Sequence, residues 1–421
     1  MKLHSFLWGK RMEGAKLNRR KFLCQSVVTS ITAISSRRIL GANDRISIAM
    51  IGCGTRNLLK EILQFSQDTN VEVTAVCDTW RQQSEKAVAM VKEASGNEPL
   101  QFVRYQDLLA MKGLDAVVIG TPDHQHCRML TAAMRAGKDA YVEKPLAMEM
   151  KELIEAVDSV KRYQRIVQCG TQIRSYPSAA AARAFVTSGG LGRILKVEQS
   201  RNSYRPYWHR YAERSLQESD VDWKAFLMHR KYRRFDADQY AGWFGYREFS
   251  RGPQSNLMVH FIDLVHYITG ATIPKRAVAL GGTFRWKDAR TAPDSIETIL
   301  EYPEFLVRYN TTFGTSAGNY LKFFGTRGVL DASRWSWTEP FQVSSEGSGE
   351  PDRIDPGTRL PTVESTPHMK NWLECLRNRK APNAPIEAGY AHSVAAIMAD
   401  EAYVRGARIV YDPVKRSIRQ G

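Results

Sequence analysis

From residue 45 onward, short apolar runs alternate with longer stretches in which apolar residues recur every three or four positions. The unbroken apolar runs at 46–51, 71–77, 116–120, 140–142 and 166–169 predict buried strands. The stretches between them, 57–67, 81–94, 124–136 and 151–163, predict amphipathic helices. Strands and helices alternating at this length predict a parallel sheet with right-handed crossovers. After about residue 170 the texture changes. An Ala-rich helix is predicted at 177–188, then an irregular region at 200–253 dense in Trp, Tyr and Arg, then a helix at 257–269. Alternating strands at 277–284, 296–302, 305–311 and 320–325 have short connections and predict an open, mainly antiparallel sheet. Residues 346–362 read as a surface loop, and helices at 368–378 and 391–406 close the chain.

Composition changes this picture mainly at the N-terminus. The 421 residues are 43% hydrophobic, enough for two packed domains. A net charge of +16 would suggest nucleic acid, but the first 42 residues carry half of it, nine Lys and Arg against Glu13. There a basic stretch ends in Asn18-Arg19-Arg20-Lys21-Phe22-Leu23, a modest apolar run covers 22–36, and Gly41-Ala42 offers a cleavage site. Paired arginines before such a run predict export to the periplasm by the twin-arginine route, with an uncleaved anchor as the alternative. No later run is long and apolar enough to span a membrane, so a soluble mature chain is expected. The six cysteines form no CxxC pair; Cys24 lies within the leading segment, and Cys53, Cys77 and Cys169, in or beside predicted core strands, read as small buried apolar residues.

Candidate chemistry begins at Gly52-Cys53-Gly54-Thr55-Arg56-Asn57, between the first predicted strand and helix. Gly52 suits the tight turn, and Gly54 lets the backbone approach a pyrophosphate. Asn57 replaces the third glycine of the usual fingerprint. Asp78 ends the second strand at the expected distance, where a carboxylate accepts from ribose hydroxyls and repels a 2′-phosphate. This favours NAD, while Arg81 leaves NADP open. The predicted architecture is therefore α/β: a leading segment 1–42, a Rossmann dinucleotide-binding domain 43–166, and a C-terminal α/β substrate domain 167–421 whose closing helices are free to pack back on the first.

Two further motifs, Thr121-Pro122-Asp123-His124-Gln125-His126 and Glu143-Lys144-Pro145, follow the third and fourth predicted strands. With the glycine turn, Gly170-Thr171-Gln172 and Phe324-Gly325-Thr326-Arg327-Gly328, the chain after residue 43 resembles the Gfo/Idh/MocA oxidoreductases. The resemblance implies a nicotinamide cofactor held by the glycine turn, Thr55, Arg56, Asp78, Thr121, Pro122, Glu143, Lys144 and Gln172. It places Lys144 beside the reacting hydroxyl, where a cation stabilises alkoxide charge and relays a proton. It further implies an Asp and a His four residues apart on one helix face. Here the pair falls on Asn256 and His260, with Asp263 one turn later as orienter. Asn256 cannot act as a base. His126 is expected at the nicotinamide end of the cleft, with Asp123 and His124 capping or bordering the cofactor. No carboxylate or cysteine completes a metal site around the two histidines, so no metal is expected.

Arg174, Tyr176 and Trp243 are the first candidates for holding a sugar-like substrate, with His260. Tyr204, Trp208, His209, Tyr240 and Tyr246 supply further aromatic and polar groups in the same region. Outside the cytoplasm no free nicotinamide pool is expected. Export therefore implies a tightly held cofactor, recycled either by coupling two sugars or by transient oxidation that permits glycoside cleavage. A sugar- or NAD-binding protein without catalysis is the reading from another class. The family's open sheet implies a homo-oligomer, dimer or tetramer; no nucleic-acid partner is expected.

Overall fold

The structure, a computed structural model, describes residues 45–209, 215–334, 339–345, 353–355 and 357–421. The proposed export segment lies outside the described residues.

The first layer is a six-stranded parallel sheet in the order β3-β2-β1-β4-β5-β6. Its strands are β1 (Ile46–Ile51), β2 (Val71–Cys77), β3 (Leu100–Phe102), β4 (Ala116–Ile119), β5 (Asp139–Val142) and β6 (Val167–Cys169). Helices α1 (Leu58–Thr69), α2 (Arg81–Ser95), α3 (Tyr105–Leu109), α4 (His126–Arg135) and α5 (Met150–Tyr163) make the crossovers. β4 and β5 are buried along their whole length, which explains why they read as unbroken apolar runs rather than alternations. The strand order reverses between β1 and β4, so the crevice at their carboxyl ends is the expected ligand position.

The second sheet has nine strands: β7 (Ile194–Ser200), β8 (Arg276–Gly282), β9 (Ser295–Glu301), β10 (Leu306–Thr312), β11 (Tyr320–Gly325), β12 (Gly328–Asp331), β13 (Gln342–Ser344), β14 (Ile409–Asp412) and β15 (Ser417–Gln420). Its order is β13-β12-β11-β7-β10-β9-β8-β14-β15. All pairs are antiparallel except β7 with β10, so the sheet is mixed but mostly antiparallel. The apolar pattern missed β7 because Lys196 and Glu198 occupy its outward positions.

The remaining helices are α6 (Pro177–Thr187), α7 (Trp223–Leu227), α8 (Ala237–Ala241), α9 (Val259–Thr269), α10 (His368–Asn378) and α11 (Ile386–Arg405). α9 is buried at eight of its eleven positions and packs on α6 and α11. The chain enters α9 through a π-helical turn, Gln254–Met258, where regular helix was expected from 257. α10 returns to the first sheet, packing on α1 and placing Trp372 and Leu373 in one core with Ile48 and Val73. The five described cysteines are free thiols; Cys53 is half-buried and the others are buried.

Candidate active site

The turn after β1 is dictated by contact distances. Gly52 adopts φ +87°, and a Cβ there would lie 2.8 Å from the Gly120 carbonyl group and 2.9 Å from Thr121 Cγ2. Only glycine fits both the conformation and the space. At Gly54 no atom lies within 4 Å of where a Cβ would sit; the backbone faces an open cradle. Asn57 takes the left-handed conformation, φ 59°, at the entry to α1. Asparagine tolerates that region better than other side chains, so the degenerate third position still forms the turn. Asn57 itself lies outside the main cavity, against a smaller cleft.

Asp78, at the end of β2, accepts from the backbone amides of Cys53 at 2.7 Å and Trp80 at 2.8 Å. Burial pushes its acid up to about 6, against the pull of those amides. Gly52, Gly54, Thr55, Arg56, Asp78, Thr121 and Pro122 share a cavity of about 800 Å³ with Glu143, Lys144 and Asn256. An open backbone cradle at a helix entry, with a carboxylate at the next strand end, fits a dinucleotide.

The far end of the cavity is built from charged side chains. Arg56 bridges Glu61 and Glu143, each at 3.0 Å. A Cβ at Gly170 would strike the Glu143 carboxyl, so that glycine makes room for it. Lys144 Nζ donates to the Asn256 carbonyl oxygen at 3.1 Å. Burial draws the Lys144 ammonium below the usual lysine range, while Asp123 and Glu143 oppose the shift. Asn256 Nδ2 donates to Asp123 Oδ2 at 3.0 Å and to Ser250 Oγ. His260, expected at the reacting centre, does not line the cavity; it is half-buried, and its Nδ1 is buried without a partner. Burial, then Lys144 and Arg56, hold its pKa well below the ordinary value, which keeps the imidazole neutral.

Several expected site residues lie elsewhere. Asp263 does not orient His260: it pairs with Arg174 Nε at 2.6 Å and His392 Nδ1 at 3.3 Å. Burial alone would raise its acid, but those partners hold it well below the usual range. Arg174 is thereby committed to a buried brace, with its guanidinium over Tyr267, and is not free for substrate. Tyr176 packs against the core. His124 packs against Phe226 and Phe249, its Nε2 donating to the Phe226 carbonyl oxygen at 2.9 Å, and burial pushes it down to about 3. His126 is buried, its ring nitrogens 2.7 Å from Pro145 O and 2.8 Å from Thr121 O; it ties two turns together instead of lining the cleft. Arg81 is exposed, lies 3.6 Å from Asp220 and does not line the cavity. Gln172 lies outside the cavity, its side-chain oxygen buried without a partner. Trp208 is packed against Phe313. Trp243 does line the cavity, stacked on Phe244. Among the described residues no cluster of three or more His, Cys, Asp or Glu is arranged to hold a metal.

Sequence reasoning missed a strap across the Asp78 end. Val221 pairs with Trp80 in an antiparallel bridge, and Asp222 N donates to Thr79 O at 2.7 Å. Tyr240 Oη and Thr79 Oγ1 lie 2.8 Å apart, and Tyr240 meets Trp80 edge-on. Phe226 and Tyr240 thus line the cavity from the second domain. The aromatic density of 200–253 was the only signal for this packing, and it does not say where the segment lies.

Comparison with known proteins agrees with this arrangement. Residues 46–171 match the model for the Gfo/Idh/MocA oxidoreductase family's NAD-binding Rossmann fold, and 222–406 that for its C-terminal alpha/beta domain. A glycosyl hydrolase family 109 protein of Shewanella sp. (strain W3-18-1) is 28% identical over 185 residues, 39% of this chain and 40% of that protein. The chain therefore aligns with well under half the length of that curated relative. Two solved structures share the fold. The WlbA dehydrogenase of Bordetella pertussis, in complex with NADH and UDP-GlcNAcA, has a TM-score of 0.64 at 19% identity, over 86% of this chain and 98% of its own. The aldose-aldose oxidoreductase of Caulobacter crescentus, complexed with glycerol, reaches 0.66 at 16% identity, over 87% and 99%.

Proposed function

We propose, because this chain belongs to the Gfo/Idh/MocA oxidoreductase family with its NAD-binding Rossmann fold, that it acts on a hydroxyl-bearing carbon of a sugar, cyclitol or glycoside. The observation that carries the reading is a single cavity with the glycine cradle and Asp78 at one end and Lys144 with Asn256 at the other. Bound NAD supplies the hydride acceptor. Gly52 and Gly54 would give its diphosphate a backbone surface, and Asp78 would accept from the ribose hydroxyls. Lys144 donates to the substrate oxygen and stabilises negative charge as the proton leaves. Its lowered pKa brings it nearer the working pH, where a group both holds and releases a proton readily. Trp243 and Phe244 offer an aromatic surface to a sugar face.

The cofactor is retained through the cycle. The strap over Thr79 and Trp80 supports this, because it closes the Asp78 end with second-domain residues. The basic leading segment supports export by the twin-arginine route, where retention would matter. Exposed Leu280, Ile299 and Leu306 on the second sheet support a homo-oligomer. Among the described residues no helix is long and apolar enough to cross a membrane.

A second reading, glycoside cleavage through transient oxidation, is favoured by the glycosyl hydrolase family 109 relative. Offering the NAD-loaded protein a panel of free sugars and glycosides separates the two. Lasting absorbance of reduced nicotinamide with a free sugar supports net oxidation. Release of aglycone with no lasting reduction supports cleavage. Neither signal with any compound would sink both readings.

A further inference from the structure

The Asn256 carboxamide is held on its nitrogen side only. Nδ2 donates to Asp123 Oδ2 at 3.0 Å and to Ser250 Oγ, with Ser255 Oγ at 3.3 Å. The carboxamide oxygen accepts from no described residue and is not sealed into the core, and Asn256 lines the cavity beside Lys144. The backbone carbonyl of the same residue takes the Lys144 ammonium at 3.1 Å. Oxygen and nitrogen of an amide are nearly the same size, so packing alone does not choose between its two orientations. Hydrogen bonding does. A buried carboxylate only accepts, and rotating the amide would set its oxygen against the Asp123 carboxylate.

We propose that Asp123 is a positioning residue: it fixes the Asn256 carboxamide with its oxygen toward the cleft, making Asn256 a dedicated acceptor for one substrate hydroxyl. This rests on the reading of a polyhydroxylated substrate given above. The turn after β4 and the π-helical turn before α9 thus act as one unit across the two domains. Ser255 Oγ, 3.2 Å from both Asp123 Oδ2 and Ser250 Oγ, completes the network. Burial raises the Asp123 acid, while His126, Lys144 and the two serines favour its charged form.

The consequence is a rule for the ligand. Lys144 donates and Asn256 Oδ1 accepts, so a bound group must offer an oxygen to one and an O–H to the other. Hydroxyls meet both demands. A carboxylate or phosphate at this point satisfies Lys144 but faces the amide oxygen with no proton to share. A site built to pair with a hydroxyl discriminates strongly against analogues that cannot supply it.

A cycle of variants in the NAD-loaded protein tests the lock. Asn256→Asp alone opposes two carboxyl groups; adding Asp123→Asn restores a donor facing an acceptor. With D-glucose, myo-inositol and glycerol as probes, KM for the best of them rises roughly tenfold or more in Asn256→Asp and returns to within about threefold of wild type in the double variant. Tm falls and recovers in the same order, and bound nucleotide stays constant. If the second substitution adds damage, with losses in KM and Tm that sum, Asp123 does not set the amide and the proposal falls. If no probe turns over, the Tm cycle and a crystal structure with glycerol in the cleft still decide. Recovery of Tm and a hydroxyl on Asn256 Oδ1 would leave the lock standing, and the absent turnover would count against oxidation of such substrates. Additive losses with normal turnover would do the reverse.

Discussion

The two ends of the cavity are made differently. At the Asp78 end, backbone does the work: Gly52 and Gly54 present peptide groups, and the carboxylate is held by the amides of Cys53 and Trp80. At the Lys144 end, charged and polar side chains converge: Arg56 with Glu143, Lys144 with the Asn256 backbone carbonyl, and the Asn256 amide with Asp123. A backbone cradle is rigid, and its peptide groups do not titrate; at that end only the Asp78 carboxyl does. A cluster of buried charges is adjustable, because each group's ionisation depends on its neighbours. Binding a constant cofactor suits the first construction, and moving a proton suits the second.

Lys144→Ala breaks the difference most sharply. Turnover should fall about 10²- to 10⁴-fold, the usual worth of a positioned acid–base group, while NAD affinity changes little. Steady-state rates beside nucleotide titration check this; a loss of NAD binding as large as the loss of rate would mean the two ends are not separable.

Asp263→Asn comes next. It leaves Arg174 buried beside a neutral partner, and chemical denaturation should show a loss of about 3–5 kcal/mol. Because Asp263 supports the fold behind His260 rather than the reaction, kcat of the folded variant should stay within a few-fold of wild type. A stable variant with abolished turnover would return Asp263 to the reacting end.

The smallest effect lies at the cofactor end. The Asp78 acid stands near about 6, raised by burial, and its ionised form would accept from the ribose of a bound dinucleotide. Its charge, and the contact, are therefore present above that pH and lost as pH falls through it. The Kd for NAD should rise roughly tenfold from about pH 7 to about pH 5. In Asp78→Asn the affinity should be weaker and flat across that range.

This contrast also explains what could be read along the chain. The parallel sheet, the glycine turn and Asp78 were legible because each depends on residues close in sequence: an apolar strand, a turn, a helix start. Lys144 was legible through its motif. The supports of the reacting end were not. Asp263 shares a helix with His260, and spacing suggested that the two cooperate, but Arg174 and His392 approach from other elements and capture it. His124 and His126 looked like cleft residues, yet α7 and the Pro145 turn enclose them. The strap over Trp80 depends on Val221 and Tyr240, roughly a hundred and forty residues or more beyond it in the chain, and no local period reports such pairing.

The central claim is that the cavity holds a nicotinamide dinucleotide for use at Lys144. Its most direct test is to purify the folded protein without added nucleotide, denature it, and identify what is released by absorbance and mass. Close to one NAD per chain is the predicted result. An empty protein that binds added NAD only weakly, with no preference over other nucleotides, would contradict it.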